Sequence, residues 1–229
     1  MDTANMQADA SSFIGKLLRG HFGKGPESVF VAIGQPYITV YIRGFMSPTE
    51  KVLMAQKEEV ILQKTRDLVM ASLIPEIKAY LAITTGYEIG SFYYDWGLHN
   101  RSAMFVVMSG DTEMLPQENA VGQPQAMRDA LHQEIINLSK QSEKQPDDIF
   151  SHLVNPRTVI VEREGILVAI ERELIRMGMA ETLKLAKRSL EKALLHNNNH
   201  FEAILGSRVH DIFVDWDFEK NKSVIVFCM

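Results

Sequence analysis

The sequence lacks several features that would assign it to a common functional class. Its 229 residues include a single cysteine, Cys228, so an internal disulfide framework is excluded. Cys228 lies in an alternating apolar segment, a pattern typical of a buried structural thiol rather than a nucleophile. The formal net charge of −5 and the isoelectric point near 5.8 give no general attraction for nucleic-acid phosphates. These shortages predict a protein of a reducing compartment that does not bind nucleic acid.

The sequence also has no long uninterrupted apolar run. Its first twelve residues carry acidic but no basic side chains, unlike the start of a signal peptide. The most apolar stretch, residues 60–75, contains Lys64, Arg66 and Asp67 and therefore does not resemble a membrane-spanning segment. With 46% hydrophobic and 23% charged residues, the chain is suited to one large core or two small ones. We expect a cytoplasmic protein with no direct membrane insertion.

No motif for nucleophilic catalysis or for nucleotide binding is present. A Gly-x-Ser-x-Gly elbow is missing, and the most phosphate-like segment, Gly23-Lys24-Gly25-Pro26, has Leu18 where a P-loop needs its first glycine. The end of a helix followed by the start of a strand explains the same residues, although Lys24 and Gly25 stay candidates for anion binding. The sequence predicts no catalytic residue, no cofactor and no enzymatic activity.

The sequence gives little support for a metal site. His196 and His200 are four residues apart, and Glu202 and His210 follow them, which would suit a metal only if a continuous helix placed the two histidines on one face. The intervening residues 197–199 are all asparagine, and asparagine marks helix ends and loops. We therefore expect a solvated loop here and no metal ion.

An internal repeat organises the chain. Asp95-Trp96 and Asp215-Trp216 lie 120 positions apart, and the same offset aligns many other residues. Further identities at this offset are Lys24 with Lys144, Pro26 with Pro146, Phe30 with Phe150, Pro36 with Pro156, Arg43 with Arg163 and Gly86 with Gly206. The number of matches predicts a tandem duplication, with repeats at residues 1–110 and 125–229 and a linker at residues 111–124.

Each repeat shows the same order of local patterns. An amphipathic stripe predicts a first helix ending near Gly20–Gly25, and two β-rich runs around a turn at Gly34–Pro36 predict a hairpin. Ser47 and Glu50 are spaced as a capping box for a long helix that Gly86 would end. Pro75 would kink this helix or begin a second one. After a second hairpin, the unit reads α-β-β-α-β-β, which predicts an α+β fold of two tandem repeats, each an antiparallel sheet with helices on one face.

Charged residues provide the remaining site candidates. Candidates for binding an anion or a partner are Lys24, Gly25, Arg43, Lys51, Arg66 and Asp95 in the first repeat and Arg163, Arg188 and Asp215 in the second. Structural ion pairs are the alternative explanation for these arginines and aspartates. Alternation along a strand places Trp96 and Trp216 in the core and turns Asp95 and Asp215 to the opposite face. That second face would look towards the other repeat, solvent or a partner.

The first repeat resembles a known family. The segments GHFGKGPESVFVAI, YITVYIRGFMSPTEK and LIPEIKAYLAITTGYEIGSFYYD, which include Arg66 and Thr85-Gly86, are similar to the MpsC-like family, formerly a domain of unknown function. The second repeat has EKQP in place of GKGP and looks like a degenerate copy. The family is associated with a bacterial system that generates membrane potential and supports inorganic carbon uptake. The resemblance thus implies a soluble accessory or regulatory role.

Two functions are compatible with these patterns. The first is a non-enzymatic binding protein whose partner is a protein, as part of a membrane-associated ion or bicarbonate transport complex. The strand residues Tyr37, Tyr41, Tyr93 and Tyr94 support it, since tyrosine is enriched in interfaces. The second is a sensor of small molecules or anions, or an enzyme, with a site between the repeats near Arg43, Arg66 and Asp95. The chain would be a monomeric pseudo-dimer or a homodimer.

Overall fold

The structure is a computed structural model that describes residues 2–110, 123–142 and 144–229. It divides into two compact units, Met1–Glu113 and Met114–Met229. The predicted linker, residues 111–124, lies outside the described residues except for its last two positions.

The first unit contains three helices and a four-stranded sheet. In chain order its elements are α1 (Thr3–Phe22), β1 (Ser28–Ile33), β2 (Tyr37–Arg43), α2 (Pro48–Ala55), α3 (Glu59–Thr85), β3 (Ile89–Gly97) and β4 (Ser102–Ser109). The strands lie in the order β1-β2-β4-β3, and every neighbouring pair is antiparallel.

The second unit repeats this architecture. Its elements are α4 (Gln125–Ser142), β5 (Asp148–Asn155), β6 (Thr158–Glu164), α5 (Ala169–Arg176), α6 (Ala180–His196), α7 (His200–Leu205), β7 (Asp211–Asp217) and β8 (Lys222–Cys228). The antiparallel strand order β5-β6-β8-β7 matches that of the first unit. The predicted α+β fold of two α-β-β-α-β-β repeats is confirmed.

The helix boundaries follow the sequence signals with one exception. Gly23 and Gly86 end α1 and α3 in the left-handed conformation that glycine adopts without strain, and Ser47 and Glu50 form the predicted capping box. Pro75 lies inside α3, which continues past it. The prediction of one helix from Ser47 onwards is wrong, because residues 56–58 are not helical and separate α2 from α3.

Each helical layer covers one face of its sheet. In the first unit the core joins Ile14 of α1, Val40 of β2, Leu73 of α3 and Phe105 of β4. Trp96 belongs to this core at 1% exposure, and Trp216 belongs to the corresponding core of the second unit. The predicted packing role of both tryptophans is confirmed.

The strand register shows that Arg43 and Arg163 are not equivalent. β1 pairs Ser28 with Arg43, whereas the corresponding strand of the second unit pairs Asp148 with Glu164. The first hairpin of the second unit has one more residue, at the end of β5, where the register shifts between Leu153 and Asn155, so the structural counterpart of Arg43 is Glu164. Arg163 instead occupies the position of the core residue Ile42. Matching identical letters at a fixed offset had aligned residues from opposite faces of the sheet.

Candidate functional site

A buried ion pair lies at the centre of the first repeat. Arg66 of α3 donates from Nε to Glu50 Oε1 at 2.7 Å and from Nη2 to Glu50 Oε2 at 3.0 Å. The same Nη2 donates to the Phe45 carbonyl at 2.9 Å. Glu50 also accepts a hydrogen bond from the backbone N–H of Ser47, which completes the capping box of α2. One carboxylate thus fixes the start of α2 to the first third of α3.

Aromatic rings enclose the guanidinium of Arg66. Its central carbon lies 4.9 Å from the centroid of Phe45 and 4.7 Å from that of Trp96, in the range of favourable cation–π contact. The indole N–H of Trp96 donates to Asp67 Oδ1 at 3.2 Å. Arg66 is only 1% exposed, and its Nη1 atom has no hydrogen-bond acceptor among residues 2–110, 123–142 and 144–229. The site is therefore built to hold a buried charge and leaves one donor unused.

Glu50 is ionised at neutral pH. Burial raises the pKa of this carboxyl, but the hydrogen bond and positive charge of Arg66 and the hydrogen bonds from Ser47 outweigh burial and hold the pKa below its usual range. The pair is thus a charged pair in the folded protein.

The second repeat keeps a weaker version of this site. Glu171 caps α5 and accepts from Lys187 Nζ at 2.9 Å, and the same Nζ lies 5.8 Å from the centroid of the Trp216 ring. Glu171, Lys187 and Trp216 correspond in position to Glu50, Arg66 and Trp96. A lysine offers a point charge in place of a planar bidentate fork, so the geometry is less constrained.

A second group of charges is present in the second repeat alone. Arg163 donates to Ser223 Oγ at 2.8 Å, to Ser139 Oγ at 3.1 Å and to Glu191 Oε2 at 2.6 Å. Glu191 Oε1 in turn accepts from the indole N–H of Trp216 at 3.1 Å and lies 3.3 Å from Lys187 Nζ. The equivalent positions in the first repeat hold Ile42, Ala103, Leu18 and Met70, all buried. Four apolar core positions have therefore been replaced together by a hydrogen-bonded polar cluster.

The other charged candidates are dispersed in the structure. Arg43 and Lys51 are exposed, Lys24 is half-buried, and none of the three makes an ion pair with a residue the structure describes. Gly25 is buried, and a side chain added there would collide with Arg19. The structure therefore does not gather these residues with Arg66 into one cluster within the first unit.

The two aspartates that follow the aromatic strand residues are buried. Asp95 is 1% and Asp215 is 3% exposed, so the expectation that their face could be open to solvent is wrong at both positions. Asp215 forms an ion pair with Lys184 of α6 at 2.7 Å.

The histidines near the second hairpin do not form a metal cluster. α6 ends at His196 and α7 begins at His200, as the asparagine run between them predicts. His200 Nδ1 lies 3.0 Å from Glu134 Oε1, whereas His196, Glu202 and His210 line a separate cleft of about 400 Å³. Within the part of the chain that the structure describes, no three His, Cys, Asp or Glu side chains are placed to hold a metal ion.

A family comparison accounts for the duplicated architecture. The family model described as "Na+-translocating membrane potential-generating system (MpsC)" matches residues 3–110 and again residues 124–229. The chain belongs to the MpsC family. It carries two MpsC repeats in tandem, as the sequence predicts. Comparison with curated proteins and with solved structures gave no significant match.

The first MpsC repeat exposes an apolar helix surface. On α3, Val60, Ile61, Leu68 and Ile83 are 56%, 49%, 76% and 85% exposed, on the side opposite the core residues Leu62, Met70 and Ile77. We call this side the outer face of α3. In the second MpsC repeat Glu181, Thr182 and Ser189 of α6 occupy the positions of Val60, Ile61 and Leu68. The fold therefore does not require apolar residues there, and sequence periodicity had not indicated this surface.

Helix α3 is also long and apolar enough to cross a membrane, judged by length and composition alone. This is weak evidence for a membrane span, because core helices of soluble proteins pass the same test. Arg66 and Asp67 lie in the first third of α3 and are buried against the protein. Their partners are the capping box of α2 and the indole of Trp96, which favours a helix that belongs to the protein core.

A histidine of α4 contacts β5, and a second histidine lies on β5 itself. His132 Nε2 lies 2.9 Å from Ser151 Oγ, and Ser151 donates to the side-chain oxygen of Gln123 at 3.0 Å. Burial lowers the pKa of His132 and of His152, and the nearby positive charge of Arg128 lowers both further. Both imidazoles are therefore neutral at pH 7, and folding opposes their protonation.

The lowered pKa values predict a loss of stability in weak acid. The unfolded chain protonates these histidines near pH 6.5, before the folded protein does, so the free energy of unfolding should be highest above that pH and should fall as the pH drops below it. We expect His132→Gln to flatten this dependence, measured by urea unfolding between about pH 8 and pH 5. His196→Gln is the control, since it makes the same imidazole-to-amide replacement at an exposed position away from this contact. An unchanged slope in His132→Gln would contradict the assignment.

Proposed function

We propose that the protein is a non-enzymatic, soluble accessory or regulatory protein of the cytoplasm, which acts by binding another protein through the outer face of α3. The observation that carries the proposal is that the outer face of α3 is apolar in the first repeat, whereas the positions corresponding to Val60, Ile61 and Leu68 in the second repeat are polar. Leu68 of the first repeat is 76% exposed, whereas the second repeat has a serine at the same position of an equivalent helix. Exposed apolar surface is costly in a soluble protein and marks interaction sites.

The family description supports the biological setting of this proposal. It associates MpsC with a system that translocates Na⁺ and generates membrane potential. In such a system, a protein of this kind would bind a membrane-associated transport complex, with the first repeat as the binding unit and the second as a degenerate copy.

A site-specific cross-link tests the proposal. A photo-reactive amino acid replaces Leu68 in the full chain expressed in cells, and cross-linked proteins are identified by mass spectrometry after irradiation. We expect one defined protein to be cross-linked from position 68 and not from position 189, where Ser189 occupies the matching place on α6. The proposal fails if position 68 yields the same background as position 189.

A further inference from the structure

We infer that the outer face of α3 is shaped for one helix of its partner, an amphipathic helix with acidic residues along one edge. This inference rests on the proposed function and assigns a chemistry to the partner. Its evidence is the spacing of the residues on the outer face, the state of the hydroxyl groups there and the charge of one edge.

The outer face has the spacing of a helix–helix seam. Along the middle of this face six exposed residues succeed one another in alternating steps of four and three, and they are Ile61, Thr65, Leu68, Ser72, Pro75 and Ala79. This is the heptad spacing by which one helix packs along another. Larger side chains alternate with smaller ones along this row, which leaves spaces for the side chains of a facing helix. A lipid surface would select apolar character but not this alternation, so the spacing favours a helix as the occupant.

The two hydroxyl groups in this seam do not oppose burial. Thr65 Oγ1 donates to the Ile61 carbonyl at 2.9 Å, and Ser72 Oγ donates to the Val69 carbonyl at 2.7 Å. Each hydroxyl is thus satisfied by its own helix. A partner can therefore cover these residues without leaving a buried donor unpaired.

One edge of the seam is basic and is not neutralised by the chain itself. Lys64 and Lys78 lie on the same edge of α3, two heptads apart, and neither forms an ion pair with any residue in the described ranges. Residues at the edges of a helix–helix seam choose the partner by charge. Glutamate or aspartate along the facing edge of a partner helix would complement both lysines.

The same charges disfavour a second copy of this chain as the partner. An antiparallel copy would place the basic edge against itself, with Lys64 towards Lys78. A parallel copy would place Lys64 towards Val69 and Lys78 towards Ile83, which offers no carboxylate to either lysine. Charge complementarity thus points to a different protein.

Two synthetic probes test the inference against the full-length protein. The probes are fluorescent amphipathic peptides with the same Leu and Ala seam, one with glutamate and one with lysine along a single edge of that seam. We expect the glutamate peptide to bind at least about tenfold more tightly in fluorescence anisotropy, with a gap that narrows as salt is raised. Leu68→Ser, which introduces the residue of the second repeat, should lower the affinity for this peptide by about tenfold or more.

Matched variants separate the contribution of the seam to peptide binding from that of the charged edge. Lys64→Glu combined with Lys78→Glu should reverse the preference between the peptides, because only the edge changes. Leu190→Ser removes a half-exposed leucine from α6 and should leave both affinities unchanged. Circular dichroism of each variant verifies that the helices remain folded.

The outcomes distinguish this inference from the proposed function. Equal binding of the two peptides, or binding of neither, overturns the acidic-edge helix. If position 68 still cross-links one defined protein, the protein-binding function stands. Self-association that depends on Leu68, measured by sedimentation, would also overturn the inference and identify a second copy as the partner. Binding to phosphatidylserine vesicles that depends on Leu68, with no cross-linked protein, would overturn both proposals.

Discussion

Replacing Glu50 with alanine is expected to destabilise the first MpsC repeat by about 3–5 kcal/mol, because it leaves a buried charge without its partner. Arg66 is 1% exposed and would keep a single hydrogen bond, to the carbonyl of Phe45. The backbone N–H of Ser47 would also lose its acceptor at the start of α2. Urea unfolding followed by Trp96 fluorescence measures the effect. A Trp216→Phe background isolates the first repeat, since one two-state transition cannot be assumed for two units.

A surface ion pair provides the matched control for this experiment. Glu173 and Arg176 on α5 form a close pair at 2.5 Å, but their side chains are 48% and 73% exposed. Solvent screens such a pair, so Glu173→Ala, followed by Trp216 fluorescence in a Trp96→Phe background, should leave the stability of the second repeat almost unchanged. A loss of less than about 1 kcal/mol in Glu50→Ala would contradict the structural role given to the buried pair.

The sequence predicts the local features of this fold well. The spacing of Ser47 and Glu50 specifies the N-terminus of α2, and Gly86 specifies the end of α3, because caps and left-handed glycines depend on neighbours within one turn. The strand alternation places Trp96 in the core for a similar reason. The internal repeat can be recognised from the amino-acid sequence without a structure.

Features that depend on long-range contacts were not predictable. Glu50 is a capping residue by its local pattern, and nothing in the letters indicates that Arg66, sixteen residues later, would bind the same carboxylate. The match between Arg43 and Arg163 was misleading because one added residue at the end of β5 shifts the hairpin register. A shift of one residue moves a side chain to the other face of a sheet.

The sequence of the second repeat contains an indication of the break between α2 and α3. Lys57 adopts a positive φ of 62°, a conformation that a lysine rarely takes. Its counterpart Gly178 has a φ of 78° and is the residue typical of such a position. Comparing the repeats with the register of the structure, rather than with a fixed offset, identifies this break.

Replacing Glu191 with methionine, the residue of the first repeat, is expected to destabilise the second repeat by about 3–5 kcal/mol. Arg163 would lose its carboxylate partner in a buried site, where the hydroxyls of Ser139 and Ser223 do not supply an opposite charge. The indole N–H of Trp216 would lose its acceptor as well. Urea unfolding followed by Trp216 fluorescence in a Trp96→Phe background measures the loss.

Changing the whole cluster to the residues of the first repeat should undo most of this loss. The combined variant Ser139→Leu, Arg163→Ile, Glu191→Met and Ser223→Ala removes the buried guanidinium together with the carboxylate and the two hydroxyls that bind it. It should recover at least about 2 kcal/mol relative to Glu191→Met, since apolar replacement of a buried ionic cluster is often neutral or stabilising. Recovery stays incomplete because the Trp216 N–H remains without its acceptor. If the combined variant is less stable than Glu191→Met, the four positions do not act as one unit. The presence of polar residues at all four positions would then not explain how the second repeat accommodates buried charge.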